Sequence, residues 1–285
     1  MIPRPFLCIA LASSVLLAGC GGAGNAPVPA NETTPPANAP QPAPDQARID
    51  ELVRQAGEAS AGGDNTAAAD LLDAALALDP RSGKAWAWRG KVLAKLGRNA
   101  EARDAHRKAA EFAPAADLKQ EQLAWAARAA LAAGKEAAGR GEHDKARQWY
   151  EEGLADAPGD AALRTGLAHA LHATGKYDEA LALFRALSES SSGTQRQDAV
   201  YFSADCLMRL GRCKEAEPLF SSLLAENYIT AEVYAFRGFC RNALGNPRGA
   251  LQDYEQAERL AADTTRRAEY ADAVRQLRAA LGEGG

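Results

Sequence analysis

Residues 86–114 read WAWRGKVLAKLGRNAEARDAHRKAAEFAP, and this stretch decides the fold. Apolar residues recur at helical spacing on both sides of Leu96-Gly97-Arg98. Glycine there accepts the left-handed backbone angle that ends one helix and lets the next begin. In the second segment Ala102 is followed four residues later by the bulky His106, one turn along the same face. Pro114 then closes the segment, because it cannot continue a helix. The stretch predicts two antiparallel helices joined by a tight turn.

The same marks recur outward from it. Alanine precedes a bulky residue by four at Ala68/Leu72, Ala102/His106, Ala146/Tyr150, Ala180/Phe184, Ala216/Phe220 and Ala250/Tyr254. The alanines are spaced 34, 44, 34, 36 and 34 residues apart. A glycine stands five residues before each of them, at Gly63, Gly97, Gly141, Gly175, Gly211 and Gly245. Proline closes three units, at Pro80, Pro114 and Pro158.

This pattern resembles the tetratricopeptide-repeat family, whose 34-residue unit carries W-x₂-L-G-x₂-Y, then A-x₃-F, then P. The second unit carries Trp86, Gly90, Ala102 and Pro114 at those places, with Arg89, Leu93 and His106 where the family has Leu, Tyr and Phe. The sixth has Tyr234, Gly238, Ala250 and Tyr254, and the first keeps Leu52, Ala56, Ala68, Leu72 and Pro80. Units four to six lack the closing proline. The resemblance covers about residues 49–262. It implies an all-α fold, a solenoid of about six helical hairpins with a C-terminal capping helix. The domain is expected over 45–285, with repeats at about 49–82, 83–116, 127–160, 161–196, 197–230 and 231–264, and a cap at 265–282. The small residues Gly90, Ala168, Ala204 and Gly238 are expected where the two helices of a unit meet closely. Two irregularities interrupt the array. About ten extra residues at 115–126, with Asp117 as a possible cap and Leu118, Leu123 and Trp125 as an apolar side, read as an extension of the third unit's first helix. The sequence SESSSGT at 188–194 reads as a longer loop.

The N-terminus carries a different signal. Residues 1–20 read MIPRPFLCIALASSVLLAGC. Arg4 supplies positive charge, and the twelve-residue apolar run at 6–17 is short for a bilayer span but fits a secretory leader. Leu17-Ala18-Gly19-Cys20 resembles the lipobox of bacterial lipoproteins. That resemblance implies a leader over 1–19, cleavage between Gly19 and Cys20, and acyl chains on Cys20 that anchor the protein in a membrane. Gly21 replaces the Asp that commonly retains such proteins in the inner membrane, so the expected location is the outer membrane, facing the periplasm. Residues 21–44 hold seven prolines and almost no charge, a composition that predicts an extended tether.

In the repeat family, ligands usually lie on the face made by the first helices. The resemblance places Lys84, Trp88, Lys91, Lys95 and Lys135 there in the N-terminal half, and His169 and His172 in the middle. The C-terminal half contributes Tyr201, Phe202, Asp205, Arg209, Phe236, Phe239 and Asn242. A basic region running into an aromatic one suits an extended peptide or a partner helix with acidic and apolar parts. The plain alternative is that half of these side chains pack between helices. Some relatives clamp a C-terminal carboxylate with a Lys and an Asn one turn apart; no pair here, including Leu131/Lys135 and Thr165/His169, has that composition.

No nucleophile elbow, phosphate loop, HExxH or paired CxxC appears, so neither an enzyme nor a cofactor is expected. His169 and His172 sit one turn apart, but two ligands without a third make a weak metal site. The net charge of −4 argues against nucleic acid as the main partner, which would need a basic face. Three cysteines follow Cys20. Cys206 and Cys240 occupy equivalent places in adjacent units, and the resemblance directs Cys213 toward the next unit, so a Cys213–Cys240 disulfide is one expectation and three packed thiols the other. The layout of lipobox, linker and about six repeats resembles tetratricopeptide lipoproteins of pilotin type, which help build pili and secretion machines, often by bringing a secretin to the outer membrane. The expected function is therefore a tethered scaffold for an envelope protein, such as a secretin or pilus component. An adaptor for peptidoglycan hydrolases is the alternative, and a metal-dependent activity at the His pair is a remoter one.

Overall fold

Helix starts are written into the chain as caps. Asp45, Asp64, Ser82, Asp160, Thr230, Asn246 and Asp263 each accept a backbone N–H of the turn they precede, which satisfies a donor that the helix itself leaves unpaired. Helix ends are written as glycine. Gly63, Gly97, Gly141, Gly175, Gly211 and Gly245 all have φ between 73° and 91°. These are the six glycines of the repeat pattern, and an L side chain at that angle would clash with its own backbone.

The computed structural model describes residues 45–282. Among them are thirteen helices and no strand. Six hairpins follow in order: α1 (Gln46–Ala61) with α2 (Asn65–Leu78), α3 (Gly83–Lys95) with α4 (Asn99–Glu111), and α5 (Ala116–Gly139) with α6 (His143–Asp156). Then come α7 (Ala161–Ala173) with α8 (Tyr177–Ser190), α9 (Gly193–Arg209) with α10 (Cys213–Ala225), and α11 (Ala231–Ala243) with α12 (Pro247–Leu260). The single helix α13 (Thr264–Leu281) closes the array. The leader, the Gly19/Cys20 site and the 21–44 tether lie outside the described residues.

Each helix packs chiefly on its neighbours in the chain, as a solenoid requires. The main next-but-one contacts join α1 to α3, α5 to α7 and α9 to α11, so the odd-numbered helices form the inner layer. The alanine of each repeat is fully buried, and the residue four later fills the space beside it: Leu72, His106, Tyr150, Phe184 and Phe220 are all at most 4% exposed. Bulky residues fit because glycine makes room. A Cβ on Gly90 would lie 2.6 Å from the His106 ring, and one on Gly166 would lie 2.7 Å from Tyr150. At the C-terminal end Val274 and Leu277 of α13 cover Ala250 and Leu251, and Arg266 and Arg278 of its polar side pair with Glu232 and Glu255.

The irregular segments differ in part from expectation. Residues 116–126 belong to α5, which is 24 residues long. Asp117 does not cap it; the cap position is Ala115, and Asp117 sits in the first turn, where negative charge favours the helix dipole. The loop read at 188–194 shrinks to Ser191 and Ser192. Ser188 and Ser190 stay helical by donating their hydroxyls to the Arg185 and Ala186 carbonyls at 2.7 and 2.9 Å.

Buried charge fixes the outer layer where the repeat spacing changes. Arg103 of α4 donates Nε to Asp156 of α6 at 2.9 Å and also reaches Glu152, while Arg107 lies 3.3 Å from the second Asp156 oxygen. Arg103 and Asp156 are each 5% exposed. Asp156→Ala would strand the guanidinium. It is expected to cost about 3 kcal/mol, the low end for breaking a buried pair, because Glu152 still reaches Arg103. Urea denaturation should show Arg103→Met, Asp156→Leu recovering most of that loss.

Candidate functional site

The inner face divides into three stretches with different chemistry. In the N-terminal stretch most of the expected lysines are engaged within the fold. Lys84 pairs with Asp50 of α1 at 2.7 Å, and Lys95 donates to the Ser60 hydroxyl at 2.7 Å. Trp88 lies against Gly57, where a Cβ would meet its ring at 3.4 Å. Lys91 sits 5.5 Å from the Trp88 ring centre and 5.8 Å from that of Trp125. This cation between two indoles bridges α3 to the extended part of α5. The sequence had marked Trp125 only as an apolar side of the insertion.

The middle stretch holds two clefts. A cleft of about 630 Å³ opens beside α7, lined by Leu131 and Lys135 of α5, His143 and Tyr150 of α6, and Thr165, His169 and His172 of α7. A second cleft of about 350 Å³ lies on the other side of α7, lined by Phe184, Leu187, Asp198, Ala199 and Phe202. Ala162, Thr165, His169 and Gln195 border both. Room for the first cleft comes from the small residues Ala162, Gly166, Ala170 and Ala173 of α7.

Electrostatics separate the two histidines. The His172 Nε2 lies 2.5 Å from Asp205 Oδ2, and Arg209 donates to both oxygens of that carboxylate at 3.0 and 3.1 Å. Burial pushes the Asp205 carboxyl up, but the hydrogen bonds from His172 and Arg209 outweigh it and hold its pKa below the ordinary 3.8. Arg209 also lies over the Tyr177 ring, 5.5 Å from its centre. His169 has no such partner. Its ring stands edge-on to Phe202 at 4.5 Å and Phe184 at 5.2 Å. Desolvation there, and then the neighbouring His172, lower its pKa, so the neutral ring is favoured. Asp205 engages one nitrogen of His172, and among the described residues no three His, Cys, Asp or Glu side chains gather as metal ligands would.

The C-terminal stretch is aromatic. Tyr201 touches Phe202, Phe220, Tyr228 and Phe236 at centroid distances of 5.1 to 6.5 Å. Most of this cluster is half-buried and packs helix to helix, as the plain alternative held. Phe239 is different: it is 50% exposed and, with Met208, Phe236, Tyr254 and Tyr270, lines an apolar hollow of about 390 Å³. Asn242 is exposed one turn further on.

Cys213 and Cys240 meet between α10 and α11 as free thiols, and Cys206 is also free and buried, the arrangement of three packed thiols that stood beside the bridge as an expectation. Burial, then a hydrogen bond with Cys213, holds the Cys240 thiol far above its ordinary value, and burial pushes Cys206 up to about 12. A thiol kept protonated is slow to begin disulfide exchange.

The residues missed from sequence are His143, Thr165 and Gln195. Only the cleft gathers them, and none occupies a repeat-motif position. The buried Asp205 supplies a stability test. Because its folded pKa is depressed, its contribution is present above pH 3.8 and is lost as pH falls through the lower folded value. Asp205→Asn is expected to cost about 2 kcal/mol at neutral pH. In thermal unfolding followed down to about pH 2, the variant should lose less further stability than the wild type.

Comparison with known proteins agrees with this architecture. Tetratricopeptide repeat family models match residues 53–117 and 137–197. No curated protein matches the chain. Among solved structures, the Naa15/Naa10 complex bound to HypK-THB superposes with a TM-score of 0.57 at 16% identity, over 82% of this chain and 34% of that one. YrrB, described as a repeat protein with an unusual peptide-binding site, gives 0.51 at 17% identity over 72% of this chain and 99% of its own. A tetratricopeptide repeat protein from Parabacteroides merdae gives 0.42 at 18% identity, over 80% and 99%. Six hairpins, glycine turns at each motif position and both family matches agree: the described residues fold as an all-α array of tetratricopeptide repeats, with residues 53–117 and 137–197 matching that family's models.

Proposed function

We propose that this protein is a membrane-tethered scaffold of the cell envelope that binds a partner protein along its inner face. The observation that carries the binding half is the inner face itself: two joined clefts beside α7, followed by the hollow around the exposed Phe239. Concave, mostly apolar surface with a few polar groups is what an extended peptide or an amphipathic helix needs. Aromatic side chains in such hollows carry a large share of binding energy. The tethering half rests on the lipobox-like Leu17-Ala18-Gly19-Cys20 and the proline-rich segment after it. Together they make assembly of an envelope structure, such as a pilus or a secretion machine with its secretin, the reading that uses every part of the chain.

An adaptor for peptidoglycan hydrolases would need a basic surface, such as the stretch from Lys84 to Lys95, for acidic enzyme surfaces. That support weakens, because Lys84 and Lys95 are held by Asp50 and Ser60.

Crosslinking in intact envelopes, with the protein as bait, is expected to capture a discrete envelope partner that Phe236→Ala, Phe239→Ala loses by about tenfold or more. Capture of the same proteins by both forms would move the contact off the inner face. Separately, Cys20→Ser is expected to abolish incorporation of labelled palmitate and shift the protein from the membrane to the soluble fraction. Retention of label in that variant would end the lipid-anchor reading.

A further inference from the structure

The chain has four histidines, and three of them, His143, His169 and His172, line the single cleft between α5 and α7. They come from two different helices, so helical periodicity alone does not gather them. Lys135 of α5, Thr165 of α7 and Gln195 of α9 also contribute polar groups to the lining. In a chain with net charge −4 and 37 acidic residues, no Asp or Glu lines this cleft. The nearby carboxylates are engaged elsewhere. Glu136 pairs with Arg140 at 2.6 Å, and Asp205 is held by His172 and Arg209. Asp198 lines the second cleft, where it accepts the Tyr228 hydroxyl at 2.9 Å. The two clefts therefore differ in sign of preference. The first offers a fixed ammonium and imidazole groups over an apolar floor. The second offers Phe184, Leu187 and Phe202, and its one carboxylate repels an anion.

We propose that the cleft between α5 and α7 is a subsite for an acidic side chain of a bound peptide, and that the adjoining cleft between α7 and α9 takes a bulky apolar side chain next to it. The assignment rests on the protein-binding reading above and deepens it. His169 is the shared wall, so the two ligand side chains stand on either side of it and the acidic one lies toward α5. Lys135 is the main source of attraction for the carboxylate.

Four histidines make a simple test. In the full chain labelled with ¹³C-histidine, N-acetyl-glutamyl-phenylalaninamide is titrated while the imidazole signals are followed. The signals of His143, His169 and His172 are expected to move together. That of His106, buried against Gln122 at 2.9 Å, is expected to stay. The glutaminyl analogue, which differs only in charge, should bind about fivefold more weakly. The glutamyl-alaninamide analogue should be weaker by a similar factor, because it leaves the second cleft empty. Lys135→Glu lies on an exposed position, so the fold should persist, reported by an unchanged His106 signal, while the preference for the glutamyl probe disappears. Equal binding of the glutamyl and glutaminyl probes, no movement of the three signals, or an unaltered preference in Lys135→Glu would overturn the proposal. The envelope crosslink separates this from the scaffold reading. A partner lost with Phe236→Ala, Phe239→Ala but captured normally by Lys135→Glu leaves the scaffold standing and removes the subsite from its contacts.

Discussion

No hairpin of this chain buries its own apolar face, and everything else in the fold follows from that constraint. Each second helix carries an alanine and, one turn on, a residue such as His106, Tyr150 or Phe184 that packs on its own first helix and also touches the next unit. The ring has to enter a gap in a neighbouring helix. Glycine supplies it: Gly90 receives His106, and Gly134 and Gly166 flank Tyr150. One tyrosine thus couples α5, α6 and α7. Stacking is obligatory, and the ends need covers, which α13 supplies at the C-terminal end through Val274 and Leu277.

Close approach on one side of a hairpin leaves space on the other. The small residues of α7 that admit Tyr150 also leave the inner face hollow beside it, so the cleft is a by-product of how the core is packed. Its polar lining is then free to be chosen without disturbing the repeat. This separates the two jobs of an inner helix: motif positions hold the array together, and the remaining positions meet the ligand.

Charge has a third role, and it is local. Arg103 with Asp156, and Arg237 and Arg241 with Asp253, are ion pairs on nearly inaccessible carboxylates, and Asp205 is equally buried with His172 as its hydrogen-bond partner. Such pairs gain little net energy over apolar packing, but breaking one is costly. They fix the relation between particular helices: Arg103 ties α4 to α6 across the long α5, where the 34-residue period is broken. The repeat motif carries none of them.

The sequence alone determined the helical hairpins, their number and their turns. Period, glycine angle and the alanine-to-bulky spacing are properties of neighbours along one helix, and local physics enforces them wherever the residues occur. It also marked most inner-face residues, because the repeat assigns each position a side. What it could not decide was which of those side chains were already spent. Lys84 on Asp50, Lys95 on Ser60 and His172 on Asp205 are partnerships across 33 to 35 residues, set by the angle at which one unit stacks on the next. The same holds for the gathering of His143 with His169 and His172. Periodicity fixes the face on which a residue stands; only the packed array fixes what stands opposite it.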